Sequence, residues 1–170
     1  MKLFFSIKIN EKLLLRSLVL LTLFLASCAS TKKATVREGK VDKVISTART
    51  YIGTPYRYGG TTRSGMDCSG LLINSFTAIN VSLPRSSADQ SKVGREVKKM
   101  TDLEPGDLVF FATGKRRKKV THVGLVTDVR SKNEVKFIHA SSTLGVVETN
   151  IYAEYYQKRF RGARRVIEEK

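Results

Sequence analysis

"SGMDCSGLLINSF", residues 64–76, sets one of the 2 cysteines of the chain directly before an apolar run. Asp67 has a short acceptor side chain that suits the first free N–H groups of a helix, so the stretch predicts a helix beginning at Cys68 with Asp67 as its cap. Leu71, Leu72, Ser75 and Phe76 form its inward stripe, which ends near Asn80. A helix start offers unpaired amides and the positive end of a dipole, both of which favour an anion. The thiolate is the reactive form of cysteine, so this position predicts a lowered pKa for Cys68. Ser69 and Gly70 are small enough to let another surface approach.

The other cysteine, Cys28, closes a leader. Lys2, Lys8, Lys12 and Arg16 precede "SLVLLTLFLA", residues 17–26, which carry no charge. Ten helical residues span about 15 Å, roughly half a bilayer core, so this reads as an export signal over residues 1–27. "LASC", residues 25–28, resembles the lipobox of bacterial lipoproteins, in which the cysteine is diacylated and becomes the first residue. Cys28 is then the lipidation site, residues 28–40 a flexible tether, and residues 41–170 the folded domain. A lipidated Cys28 leaves Cys68 without a disulfide partner, and a lone thiol in an exported protein is either reactive or buried and inert.

The chain has 170 residues and a formal charge of +16. The leader holds four basic residues and one acidic, so +13 stays with the mature part. A basic surface favours polyanions. Export removes nucleic acid from consideration and leaves cell-wall peptides, anionic glycolipid and membrane headgroups. "KRRKK", residues 115–119, is either a solvated loop tip or a binding patch.

Val41, Val44, Ile45, Ala48 and Ile52 recur at helical spacing, predicting a helix over 41–52. "GTPYRYGG" breaks it. Beyond "LPRSSADQ", residues 83–90, the texture becomes β-rich: 103–112, 121–129 and 134–141 read as strands. "GVVETN" adds a further candidate, "YAEYYQKR" a short helix, and "FRGARRVI" a closing strand. Helices first and strands afterwards predict one α+β domain with an antiparallel sheet of about five to six strands.

The chain has only 2 histidines. A hairpin centred between Arg130 and Ser131 sets His122 directly opposite His139, on one face. A slip of one residue would separate them. With Cys68 on a helix packed over that face, His122 would hold the thiol as a thiolate–imidazolium pair and His139 would orient His122, the logic of a cysteine protease. The Cys68 N–H is one oxyanion donor, and a phenol from "PYRYGG" is a candidate second. A zinc site on Cys68, His122 and His139 has too few ligands and no supporting spacing, so no metal or cofactor is expected.

"GTPYRYGGTTRSGMDCSGLL", "LPRSSADQ", "LEPGDLVFF", "THVGLV" and "FIHAS", in this order over roughly residues 42–167, resemble the NlpC family of cell-wall cysteine peptidases. The resemblance implies a papain-like fold and hydrolysis of amide bonds in peptidoglycan stem peptides, at the D-glutamyl–diaminopimelate link or the neighbouring cross-bridge. It matches Cys68 to the nucleophile, His122 to the base, His139 to the third polar residue and Tyr56 to the tyrosine near the oxyanion. Asp67, Ser69, Arg85 and Ser86 match positions lining the substrate groove. The expected protein is a monomer anchored in the cell envelope. Ala29 after the lipid cysteine resembles outer-membrane sorting, which would face the domain to the periplasm. The competing readings are a thiol amidase or acyltransferase, and a non-catalytic wall-binding scaffold.

Overall fold

The computed structural model describes residues 35–114 and 118–168. The leader, Cys28, most of the tether and the first three residues of "KRRKK" lie outside the described residues. Among those described, no helix is long and apolar enough to cross a membrane.

Helix α1 runs over residues 35–49 and begins inside the segment read as tether. Arg37 explains why its first turn is held. Its guanidinium donates to Ile167 O at 3.2 Å and to Glu104 Oε2 at 2.9 Å. Val41, Val44, Ile45 and Ala48 are buried as the periodicity predicts, but Ile52 is 54% exposed. The helix ends before Ile52, and Gly53 at φ 84° turns the chain out, its N–H donating to Val146 O.

The next segment folds back on itself. Strands β1 (Thr61–Thr62) and β2 (Gly65–Met66) pair as a short hairpin. Tyr56 bridges Met66, so the "PYRYGG" loop lies against the chain that enters helix α2. Helix α2 is Cys68–Thr77, with Leu71, Leu72, Ser75 and Phe76 buried. Burying each large apolar side chain contributes about 1.5–3 kcal/mol. Asn80, at φ 58°, closes the turn that follows.

A one-turn helix α3 (Ser87–Gln90) precedes a six-stranded antiparallel sheet. Its strands are β3 (Arg95–Val97), β4 (Leu108–Phe111), β5 (His122–Ser131), β6 (Glu134–Ser141), β7 (Gly145–Asn150) and β8 (Phe160–Arg165). Their spatial order is β3-β8-β4-β5-β6-β7, so the closing strand lies inside the sheet rather than at its edge. β3 carries only "REV", too short for alternation to reveal. Helix α4 (Glu154–Gln157) occupies the predicted place. The α+β, papain-like expectation holds.

Each sheet face has its own core. Leu108, Phe110, Val123, Leu125, Ile138 and Ala140 cluster with α1 and α2. On the reverse, Val109, Phe111, Val126, Val135 and Phe137 cluster with Tyr152, Tyr156 and Phe160. Beneath the sheet, Arg165 donates to both oxygens of the fully buried Asp107, at 2.8 and 2.9 Å. Removing Arg165 would leave the Asp107 carboxylate buried without its cation, at a cost of about 3–5 kcal/mol, whereas Arg165 also pairs with Glu104 at 2.7 Å.

The β5–β6 hairpin departs from the expected register. Leu125 faces Ile138 and Val126 faces Phe137, two residues away from a pairing of His122 with His139. The turn lies later, with Ser131 opposite Glu134, and shifts at Val126/Asp128 and Val129/Ser131 absorb extra residues in β5. An even shift preserves the face, so both histidines still project to one side.

Candidate active site

Asp67 caps α2 in an extended conformation, its side chain accepting from Gly70 N at 2.7 Å. The same carboxylate accepts from Ser69 Oγ at 3.0 Å and from Gly59 N at 2.9 Å. Arg85 reaches both of its oxygens and also donates to Ser69 Oγ at 2.8 Å. Burial alone would raise the Asp67 pKa, but the bonds from Arg85, Gly70 and Ser69 outweigh it and hold the group below its ordinary value. Three of the groove residues implied by the resemblance, Asp67, Ser69 and Arg85, are thus one hydrogen-bonded unit. Ser86 is occupied otherwise: it caps α3, donating to Asp89 Oδ2 and accepting from Asp89 N.

Gly70 and Gly60 explain how this loop approaches the helix so closely. A Cβ on Gly70 would meet Gly60 O at 2.4 Å. The glycine after the cysteine is required by contact.

Cys68 opens onto a cleft of about 560 Å³, lined by Tyr56, Tyr58, Asp67, Arg85, Ser87 and Lys119 among others. The thiol is 8% exposed. Burial pushes it up to about 11, and the Asp67 carboxylate adds in the same direction. The N–H of Val123 and those of Ser69 and Cys68 itself pull the other way without prevailing. The lowered pKa expected from the helix start is therefore overturned. The reason is that helix capping places an anion beside the sulfur, while packing removes water from it. Tyr56 also lines the cleft, its phenol pKa raised by burial, then by Cys68 and Asp67, so it stays protonated as a donor.

Cys68 and Val123 belong to the same buried cluster, so the start of β5, where His122 precedes Val123, packs with the opening of α2. His122 does not share the helix-facing side of the sheet. It lies opposite Phe111 on the reverse face, so the expectation that α2 packs over the histidine face is corrected. His122 Nε2 lies 3.0 Å from His139 Nδ1. His139 is 1% exposed and stacks on Phe137, with ring centroids 4.7 Å apart. Burial lowers His122 to about 4; burial and then His122 lower His139 to about 3. Both rings are neutral at pH 7.

Two partners of His139 escaped sequence reasoning. Thr149 Oγ1 and the Tyr156 hydroxyl lie 3.3 and 3.2 Å from its Nε2. Neither residue sits in a chemical motif, and only the pairing of β6 with β7 and the seating of α4 bring them there. Among the described residues no cluster of three or more metal-binding side chains occurs, and Cys68, His122 and His139 do not form one.

Residues 53–165 match the NlpC/P60 family over two thirds of the chain. The chain belongs to that family. It is similar to the probable endopeptidase NlpC of Escherichia coli K12, with 38% identity over 157 residues covering 88% of this chain and 97% of the relative. It is also similar to the murein DD-endopeptidase MepS/murein LD-carboxypeptidase of the same strain, at 36% identity over 68% of this chain and 57% of that one. An NlpC/P60 family protein from Bacillus cereus shares the fold, with a TM-score of 0.67 and 29% identity over 75% of this chain and 40% of the other. Cys68, His122 and His139 all lie within the matched residues.

Proposed function

We propose that this protein is a lipid-anchored cysteine endopeptidase that hydrolyses amide bonds in peptidoglycan stem peptides. Family membership supports a cysteine-type peptidoglycan hydrolase. The observation that carries the mechanism is that Cys68 of α2 and Val123 of β5 pack in one buried cluster, while His122, the neighbour of Val123, is bonded to His139.

His122 is neutral, which is the form able to accept a proton. It takes the thiol proton as the Cys68 sulfur attacks the amide carbonyl carbon, so charge develops in the cleft rather than existing at rest. The resulting oxyanion faces the Cys68 N–H and the Tyr56 hydroxyl. The His122 imidazolium then protonates the amide nitrogen, the C–N bond breaks, and the amine leaves a thioester. Water gives a proton to His122 and its oxygen to the carbonyl. The C–S bond then breaks, the sulfur takes the proton back from His122 and returns to thiol, and the stem is released with a new carboxylate.

The Asp67–Ser69–Arg85 unit forms the wall that receives the substrate, and Ser86 supports that wall through α3. The favoured bonds are D-glutamyl–diaminopimelate and the diaminopimelate cross-bridge. The leader and "LASC" support lipidation at Cys28, anchoring a monomer in the envelope with its domain facing the periplasm.

Incubating the protein with purified wall material and separating products by mass tests this. New free amino groups on diaminopimelate, absent with Cys68→Ala, are expected. Intact stems with newly acylated lipid would establish an acyltransferase, and no product at all a scaffold.

A further inference from the structure

The two ring nitrogens of His122 have different neighbours. Nε2 is engaged by His139, so Nδ1 is the nitrogen left for a thiol proton. For Nδ1 to be a base it must carry a lone pair, so the proton of neutral His122 must sit on Nε2 and be donated to His139 Nδ1. His139 then carries its own proton on Nε2. The opposite arrangement, with His139 Nδ1–H donating, puts the His122 proton on Nδ1 and removes the base.

Which arrangement holds is decided at His139 Nε2. Two hydroxyls converge on it, Tyr156 at 3.2 Å and Thr149 at 3.3 Å. A single lone pair would draw one hydroxyl in to about 2.8 Å, whereas one N–H shared between two acceptors gives two longer contacts of similar length. Both distances match an N–H shared between the two oxygens, with the donor role set by the tautomer. Tyr156 is held in place by aromatic packing, with Phe111, Phe137 and His139 all edge-on to it at centroid distances of 5.3, 4.9 and 5.2 Å. Its pKa is raised by burial and by Tyr155, so it remains a phenol with an accepting oxygen.

We propose that Tyr156 and Thr149 are positioning residues that jointly accept the His139 Nε2–H and so hold His122 in the tautomer that can act as a base. This rests on His122 being the base, but the tautomer itself can be read without any catalysis. The chain has 2 histidines, so a histidine-labelled ¹⁵N spectrum of the full chain in detergent at pH 7 contains two rings, assigned by the set that His139→Gln removes. Both rings protonated at Nε2 is the expected result. His139 protonated at Nδ1 would overturn the proposal.

Tyr156→Phe and Thr149→Val each keep shape and remove one acceptor. Each is expected to lower kcat about 3- to 10-fold, and the pair together about 30-fold or more, with KM unchanged. Thr149→Ser restores the rate. In the double variant the His139 proton is expected to shift toward Nδ1. A double variant that keeps both the Nε2–H tautomer and full kcat, or one that raises KM alone, would rule the positioning role out. Should the wild type cut no wall peptide, the spectrum still decides the tautomer while the peptidase reading falls.

Discussion

Arg85 closes on both oxygens of Asp67, with Nη1 3.0 Å from Oδ1 and Nη2 2.7 Å from Oδ2. The pair ties the loop before α3 to the residue before Cys68, 18 positions apart. Because Asp67 also caps α2 and its charge helps to raise the Cys68 pKa, one carboxylate links helix stability, groove shape and thiol chemistry.

Asp67→Ala is therefore expected to act in two directions. Loss of the cap lowers stability by about 0.5–2 kcal/mol, read from urea denaturation. Loss of the anion lowers the Cys68 pKa, so alkylation at pH 8 becomes faster than in the wild type. Slower alkylation would show that Asp67 does not act on the sulfur electrostatically.

In the free wild-type protein, alkylation of Cys68 by iodoacetamide is expected to keep rising with pH toward about 11. A plateau near neutrality would instead reveal a resting thiolate. His122→Ala is expected to abolish turnover while leaving this titration nearly in place, since burial is its main cause.

Gly124 sits where a Cβ would lie 2.5 Å from Phe137 Cδ2 and 2.9 Å from Ile138 O. Phe137 is the ring on which His139 stacks. Gly124→Ala is expected to cost about 1–3 kcal/mol by overpacking and to lower kcat by displacing His139. Gly39→Ala, in α1 with nothing within 4 Å of the new methyl, is the control; it should stabilise by about 0.5–1 kcal/mol and leave kcat unchanged.

Stability should depend on the two histidines between pH 6.5 and about 3. Both fold as neutral rings, at about 4 and about 3 against an ordinary 6.5, so below 6.5 the unfolded chain binds protons that the folded chain refuses. Stability from these groups is complete above pH 6.5 and is lost as the pH falls. His139→Gln removes one of the two protons from this slope. Denaturation curves at pH 7, 6, 5 and 4 that run parallel for wild type and variant would contradict the assignment.

Much of this was legible in the chain itself. The cap at Asp67, the stripe from Leu71 to Phe76 and the run of strands followed from side-chain period and local hydrogen-bonding chemistry, which neighbours in sequence determine. The placement of both histidines on one face survived a two-residue error in register, because side chains alternate with a period of two. Ile52 was misplaced because Gly53 and its bond to Val146 end the helix from outside.

The amino-acid order by itself therefore settled which residues are chemically equipped and on which elements they ride: a thiol at a helix start, two imidazoles on adjacent strands. Tertiary structure alone decided the protonation of the thiol, the sheet face of His122, and the hydroxyls of Thr149 and Tyr156 at His139. The reason is physical. Propensity, capping and periodicity act over a few residues, whereas desolvation and hydrogen-bond direction depend on whatever distant segment packs alongside, and no local pattern records that.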